Sequence, residues 1–182
     1  YQNDAYAKRY LDFVAQAKMR EDALGKTGFA LALARSYYHL LTYKDEYEVA
    51  RLYSDGRFSD AVSQAFDGKS KTFFHLAPPL FAGKRRFGPW IGKAFPILAH
   101  FKGLRGTIFD PFGHQHLRLE ERRLIVEYEE LMAKVLKALN ADNYAQGIEL
   151  AKSFLSIRGF GPVKEGAILA ARKEITELSA GF

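Results

Sequence analysis

Apolar positions recur at helical spacing through most of the chain. Tyr6, Tyr10, Phe13, Val14 and Ala17 fall on one side of a helix whose end is predicted at Gly25. Phe29, Leu33, Tyr37 and Leu40 mark a second helix over about 27–41. A third is predicted to start after Thr42 as N-cap, with carboxylates in its first turn, and to stop at Asp55-Gly56. A short helix over 59–66 ends at Gly68. TFFHLA (72–77) then reads as a brief extended piece closed by Pro78-Pro79, because proline disfavours helix in the residue before it.

Helix is predicted again over 89–101, kinked or ended early by Pro96, and Asp110-Pro111-Phe112-Gly113 carries type I turn residues. The strongest periodicity runs over 116–139, where Leu124, Tyr128, Leu131, Val135 and Leu139 form one stripe with Ile125, Met132 and Leu136 beside it. Asp142 and Ser153 bracket a further helix, and Pro162 suits the first turn of the last, which runs to about Leu178. The expected fold is mainly α, a single-domain helical bundle (1–182) of about six to eight helices with one short extended segment near 72–77.

Composition narrows the classes. At 182 residues and 48% hydrophobic content the chain can bury a sizeable core and is not a disordered polymer. It has no cysteine, which excludes disulfides, thiolate metal sites and iron–sulfur ligation within it. No apolar run approaches the ~20 residues needed to span a bilayer, so no membrane role is expected, and the lack of cysteine fits the expected cytoplasmic location. The opening YQNDAYAKRY, without an initiator Met and already helical in pattern, reads as the start of a piece cut from a longer protein.

The net charge of +6 is unevenly placed. Between Gly68 and Phe109 there is no Asp or Glu, while Lys69, Lys71, Lys84, Arg85, Arg86, Lys93, Lys102 and Arg105 supply eight cations. Taking +8 from +6 leaves −2 for the rest, so the basicity belongs to one surface.

Most local motifs have simpler readings than the chemistry they evoke. LGKTG (24–28) has the lysine and glycine of a phosphate loop, but the first glycine of that motif would fall on Arg20 and a helix precedes it. IRGFGPVKEGAIL (157–169) resembles a helix-hairpin-helix turn that would aim backbone N–H groups at DNA phosphate; the rival is a connection that packs Phe160 into the core. Only Arg158 and Lys164 lie near that turn, so nucleic acid is the lesser reading. His114 and His116 have a chelating spacing without an evident third ligand, and no metal or catalytic residue is assigned. His39, His75 and His100 read as packed, hydrogen-bonded histidines, and Glu120 and Glu121 as a solvated helix face.

The cationic run remains. Phe81, Phe87 and Trp90 interleave with Lys84, Arg85 and Arg86, and aromatic anchors with arginine are enriched at interface cores. The candidate docking surface is His75, Lys84, Arg85, Arg86, Phe87, Trp90 and Arg105.

KDEYEVARLYSDGRF (44–58), FHLAPPLFA (74–82), KRRFGPW (84–90), LRGTIFDPFG (104–113) and IRGFGPVKE (157–165) occur in that order. Together they resemble the C-terminal domain of the large, fused indolepyruvate ferredoxin oxidoreductases of bacteria, over nearly the whole chain. The resemblance implies a parent that uses thiamine diphosphate and Mg²⁺ to decarboxylate an aryl pyruvate. It passes electrons through iron–sulfur clusters to ferredoxin and the acyl group to coenzyme A. By the same resemblance those cofactors belong to upstream catalytic domains of the same polypeptide, and this domain holds none. Its implied partners are those domains, with ferredoxin or coenzyme A as further candidates. Two departures stand out: a shorter loop between Pro79 and Lys84, and GHQH (113–116) where an aromatic residue is more familiar.

Overall fold

The computed structural model describes residues 1–68, 71–76 and 85–182. Among them are eight α-helices and one two-stranded sheet, the mainly α architecture expected from the periodicity. The helices are α1 (Asp4–Ala23), α2 (Phe29–Leu41), α3 (Glu46–Ser54), α4 (Arg57–Ala65), α5 (Phe95–His100), α6 (His116–Ala138), α7 (Tyr144–Lys152) and α8 (Pro162–Ser179). The strands are β1 (Phe74–Leu76) and β2 (Arg85–Phe87). Pro78, Pro79, Phe81, Lys69 and Lys84 lie outside the described residues. No helix among the described residues is long and apolar enough to cross a membrane.

The chain divides into two compact units: Tyr1 with Lys44–Arg118, and Gln2–Tyr43 with Leu119–Phe182. The second unit takes the long helices. Phe29, Leu33, Tyr37 and Leu40 of α2 are buried, as are Leu124, Tyr128 and Val135 of α6 and Leu139 just beyond its end, each apolar side chain contributing about 1.5–3 kcal/mol. Met132 is fully buried and Leu131 only partly, so the buried stripe of α6 is turned slightly from the one predicted. Rings form a column in this core: Tyr10 to Tyr37 at 5.9 Å, Tyr37 to Tyr128 at 6.0 Å, and Tyr128 to Phe154 at 5.0 Å between centroids.

Two carboxylates of the second unit, Glu129 and Glu121, are matched. Glu129 accepts from the Tyr37 hydroxyl and, at 2.7 Å on both oxygens, from Arg9. Burial, and then the carboxylate it donates to, push the Tyr37 hydroxyl well above the ordinary tyrosine range. Glu121 is not on a solvated face: it is buried and paired with Lys164 of α8. Its neighbour Glu120 pairs with Arg172 and Arg123. The helix face that looked solvated in sequence is the one that α8 packs against.

The first unit is built on α3, α4, α5 and the hairpin. Thr42 is not the cap of α3; its hydroxyl donates back to Tyr38 O at 2.8 Å, closing α2. Asp45 caps α3 instead, accepting from Glu48 N–H at 2.9 Å. Phe74 of β1 and Phe95 of α5 meet edge to face at 4.9 Å over Ala50, with Tyr53 against both. Pro96 sits in the first turn of α5, where its missing N–H costs nothing. The expected kinked helix is thus α5 flanked by 3₁₀ turns over Pro89–Ala94 and Phe101–Leu104.

A second polar cluster fixes the loop that follows. Arg105 pairs with Asp45, Arg118 with Glu46 and Arg51 with Glu48. Asp110 accepts from Gly106 N–H at 2.8 Å, Phe112 N–H at 3.1 Å and the Tyr47 hydroxyl at 3.0 Å. Gly113 completes the predicted turn by donating to Asp110 O at 3.3 Å. A Cβ there would stand 2.4 Å from the Asp110 carboxylate, so the position excludes a side chain.

Candidate docking surface

The hairpin places the residues singled out from the sequence. β1 and β2 are antiparallel, with Phe74 opposite Phe87, His75 opposite Arg86 and Leu76 opposite Arg85. Strand pleating sends alternate side chains to opposite faces. Phe74 is buried against Phe95, so its neighbours Phe73 and His75 turn outward, and both are exposed. Arg86, across from His75, shares their face and lays its guanidinium 3.8 Å above the Phe73 ring.

One strand end carries the remaining aromatics. Phe87 is half-buried and meets Trp90 edge to face at 6.1 Å, while Trp90 is 63% exposed. Arg85, at the other end of β2, is exposed, as are Lys71 and Lys93 nearby in sequence. The structure therefore puts Phe73, His75 and Arg86 on one face of the hairpin, Arg85 and Phe87 on the other, and Trp90 against Phe87 outside the core. Lys84 lies outside the described residues.

Arg105 does not belong to this surface. Its side chain is 3% exposed and held by Asp45, also 3% exposed, with one guanidinium N–H 2.9 Å from Oδ1. The guanidinium also covers the Tyr1 ring at 4.1 Å. A cation drawn from an acid-free stretch of sequence found its carboxylate in a distant segment. Sequence reading missed two other features, β2 and Phe73. Three-residue strands show no measurable period, and Phe73 becomes informative only once Arg86 is placed opposite it.

The other motifs resolve on geometry. The start of α2 after LGKTG is filled: Glu21 accepts from Phe29 N–H at 2.7 Å and from the Tyr144 hydroxyl at 2.6 Å. A phosphate would have to displace that carboxylate. At the 157–161 turn, Gly159 and Gly161 take φ of 104° and 57°, and Phe160 is 57% exposed, against the expectation that it packs inward. The two nearby cations serve the chain itself, Arg158 donating to Leu155 O at 3.1 Å and Lys164 pairing with Glu121. His39 meets Ile157 O at 2.9 Å and His100 meets Pro96 O at 2.6 Å, whereas His75 is exposed rather than packed. Among the described residues no group of three or more His, Cys, Asp or Glu is placed to hold a metal ion.

Chemically, the hairpin can present cations and flat rings to an anion and exclude water from part of the contact. The carboxylates of the Asp45 and Asp110 cluster are engaged with guanidinium, hydroxyl and backbone donors, which suits them to holding the 104–113 loop. Compared with known proteins, residues 1–177 match the model of a family described as a family of unknown function (DUF6537). No curated protein and no solved structure matches the chain.

Proposed function

The chain belongs to the DUF6537 family, and we propose that it is a non-catalytic C-terminal docking domain of an indolepyruvate-type 2-oxoacid:ferredoxin oxidoreductase. The parent would oxidatively decarboxylate aryl pyruvates to acyl-coenzyme A in the cytoplasm, with electrons passed to ferredoxin. The sequence blocks between 44 and 165 support the assignment. The observation that carries the docking role is the outward face of the hairpin, where Arg86 stacks on Phe73; Trp90, which follows β2, is exposed as well.

Thiolate-bound clusters and a phosphate at the LGKTG helix start do not fit this chain. Cluster ligation needs thiolates and there is no cysteine, and the helix start after LGKTG is occupied by Glu21. In this reading catalysis belongs to upstream domains, and this domain's part is attachment. Exposed arginine and tryptophan side chains within one short segment suit a charged, partly dehydrated contact. Its counterpart is an acidic face of the upstream catalytic domains of the same polypeptide.

The test is Arg85→Glu with Arg86→Glu in the full-length protein, followed by ferredoxin-linked turnover and coenzyme A titration. Loss of turnover with normal coenzyme A affinity and a loosened association of this domain supports the reading. A change confined to coenzyme A affinity moves the site to the cosubstrate, and one confined to ferredoxin saturation moves it to the electron acceptor. Unchanged turnover and assembly overturns docking. A reading frame without an upstream thiamine-diphosphate domain overturns the family assignment.

A further inference from the structure

The carboxylates of α3 and its ends are already matched. Asp45 holds Arg105, Glu46 holds Arg118, and Glu48 and Asp55 both hold Arg51. Arg86 of β2 has no such counterpart. Its guanidinium meets no carboxylate among the described residues, and the remaining residues of the chain include no Asp or Glu.

What it meets instead is a ring. Arg86 stands opposite His75, which shares its face with Phe73 two residues earlier, and the guanidinium carbon lies 3.8 Å from the Phe73 centroid. At that distance the two are in van der Waals contact, the flat stacking that arginine makes on aromatic faces. One flat side of the guanidinium is covered, while its N–H donors lie in its own plane and stay free along the ring edge. Both side chains are exposed, Phe73 to 42%. An arginine fixed in this way gives up less rotamer freedom when it pairs than one waving in water.

A flat, unpaired fork narrows what can sit on it. Two parallel N–H donors match the two oxygens of a carboxylate arriving in the same plane, a geometry that a lysine ammonium does not offer. Arg85 is adjacent in sequence but pleats to the other face of the hairpin, so it does not share the contact.

We infer that Arg86 is the specificity-determining residue of the docking face: its guanidinium, with Phe73 as positioning residue, takes one Asp or Glu carboxylate of the upstream domains in a two-pronged pair. This rests on the docking reading above and narrows it from an acidic surface to one carboxylate on one arginine.

The experiment is a set of variants in the full-length protein read by ferredoxin-linked turnover, with an unchanged melting temperature as the check on folding. Arg86→Lys keeps the charge and loses the fork; it is expected to lower turnover about tenfold, within about twofold of Arg86→Glu. Arg85→Glu alone is expected to leave turnover unchanged. Phe73→Leu is expected to lower it about threefold, and Phe73→Tyr, which keeps a ring, to restore it. Carbodiimide treatment of Arg86→Lys joins the introduced amine to a carboxylate in contact with it. Because both surfaces share one polypeptide, this traps even a weakened contact, and peptide mass spectrometry is expected to place that carboxylate in the upstream domains.

Normal turnover in Arg86→Lys, a loss that follows Arg85→Glu alone, or Phe73→Tyr no better than Phe73→Leu overturns the inference. So does coupling to a second copy or to no carboxylate. A change confined to coenzyme A affinity makes the anion a phosphate and overturns it as well. If Arg86→Lys is silent while Arg85→Glu with Arg86→Glu still uncouples the full-length protein, the fork falls and the docking reading stands. If both are silent, both fall.

Discussion

Arg105 and Asp45 stand 60 residues apart in sequence and form a two-pronged ion pair inside the first unit. Each side chain is 3% exposed, so removing either leaves a charge buried without its counter-ion. Asp45→Ala, which also deletes the cap of α3, is expected to cost about 3–5 kcal/mol. Arg105→Met in the same background should restore part of it. Urea unfolding followed by far-ultraviolet circular dichroism measures both, and a loss below about 1 kcal/mol for Asp45→Ala would refute the buried pair.

Asp110 predicts an acid-side dependence. Burial favours its neutral form, but N–H donors from Gly106, Phe112 and Gly113 and the Tyr47 hydroxyl favour the carboxylate more. Its pKa is therefore held below the ordinary value. Such a group contributes fully above the unfolded pKa, about 3.9, and its contribution is lost as pH falls through the folded value. Asp110→Asn should be less stable at neutral pH by about 1–3 kcal/mol and should show a shallower decline on acidification below about pH 4. Urea midpoints across that range decide it. Parallel acid profiles for the two proteins would remove Asp110 as the source.

In the second unit, Glu129 is the shared acceptor for Tyr37 and Arg9. Glu129→Ala should destabilise by about 1–3 kcal/mol, because the buried Tyr37 hydroxyl loses its acceptor. Adding Tyr37→Phe should recover much of that loss. A double-mutant cycle on thermal unfolding reads the coupling, and simple additivity would contradict the hydrogen bond.

On the hairpin, the expectation runs the other way. Arg86→Ala and Trp90→Ala touch exposed side chains and should change stability by less than about 0.5 kcal/mol. Calorimetric melting of the isolated chain tests this. A large loss would mean these residues hold the unit together and do not serve a partner.

Helices were readable because their signals are local. The stripes of α1, α2 and α6, the stop near Gly25 and Pro162 in the first turn of α8 each depend on residues within a few positions of one another. Where two residues had the right chemistry for one job, sequence alone chose wrongly. Thr42 and Asp45 are both capping types, and the choice fell to Asp45 because Thr42 bonds back to Tyr38. Arg105 and Glu121 failed for a related reason. Each looked solvent-facing from its neighbours, and each is buried by a partner from a remote segment. The candidate surface was legible as a composition of cations and rings. Its geometry was not, since the pairing of His75 with Arg86 depends on a hairpin register that three-residue strands do not announce.

The column of rings in the second unit carries a consequence for motion. Tyr37 is fully buried, stacked between Tyr10 and Tyr128, and met edge-on by Phe13 at 5.1 Å. A half-rotation of that ring about its own axis requires its neighbours to part together. Its flip rate, seen as separate or averaged resonances of the two ring edges, is then a clock for how often this half of the molecule breathes.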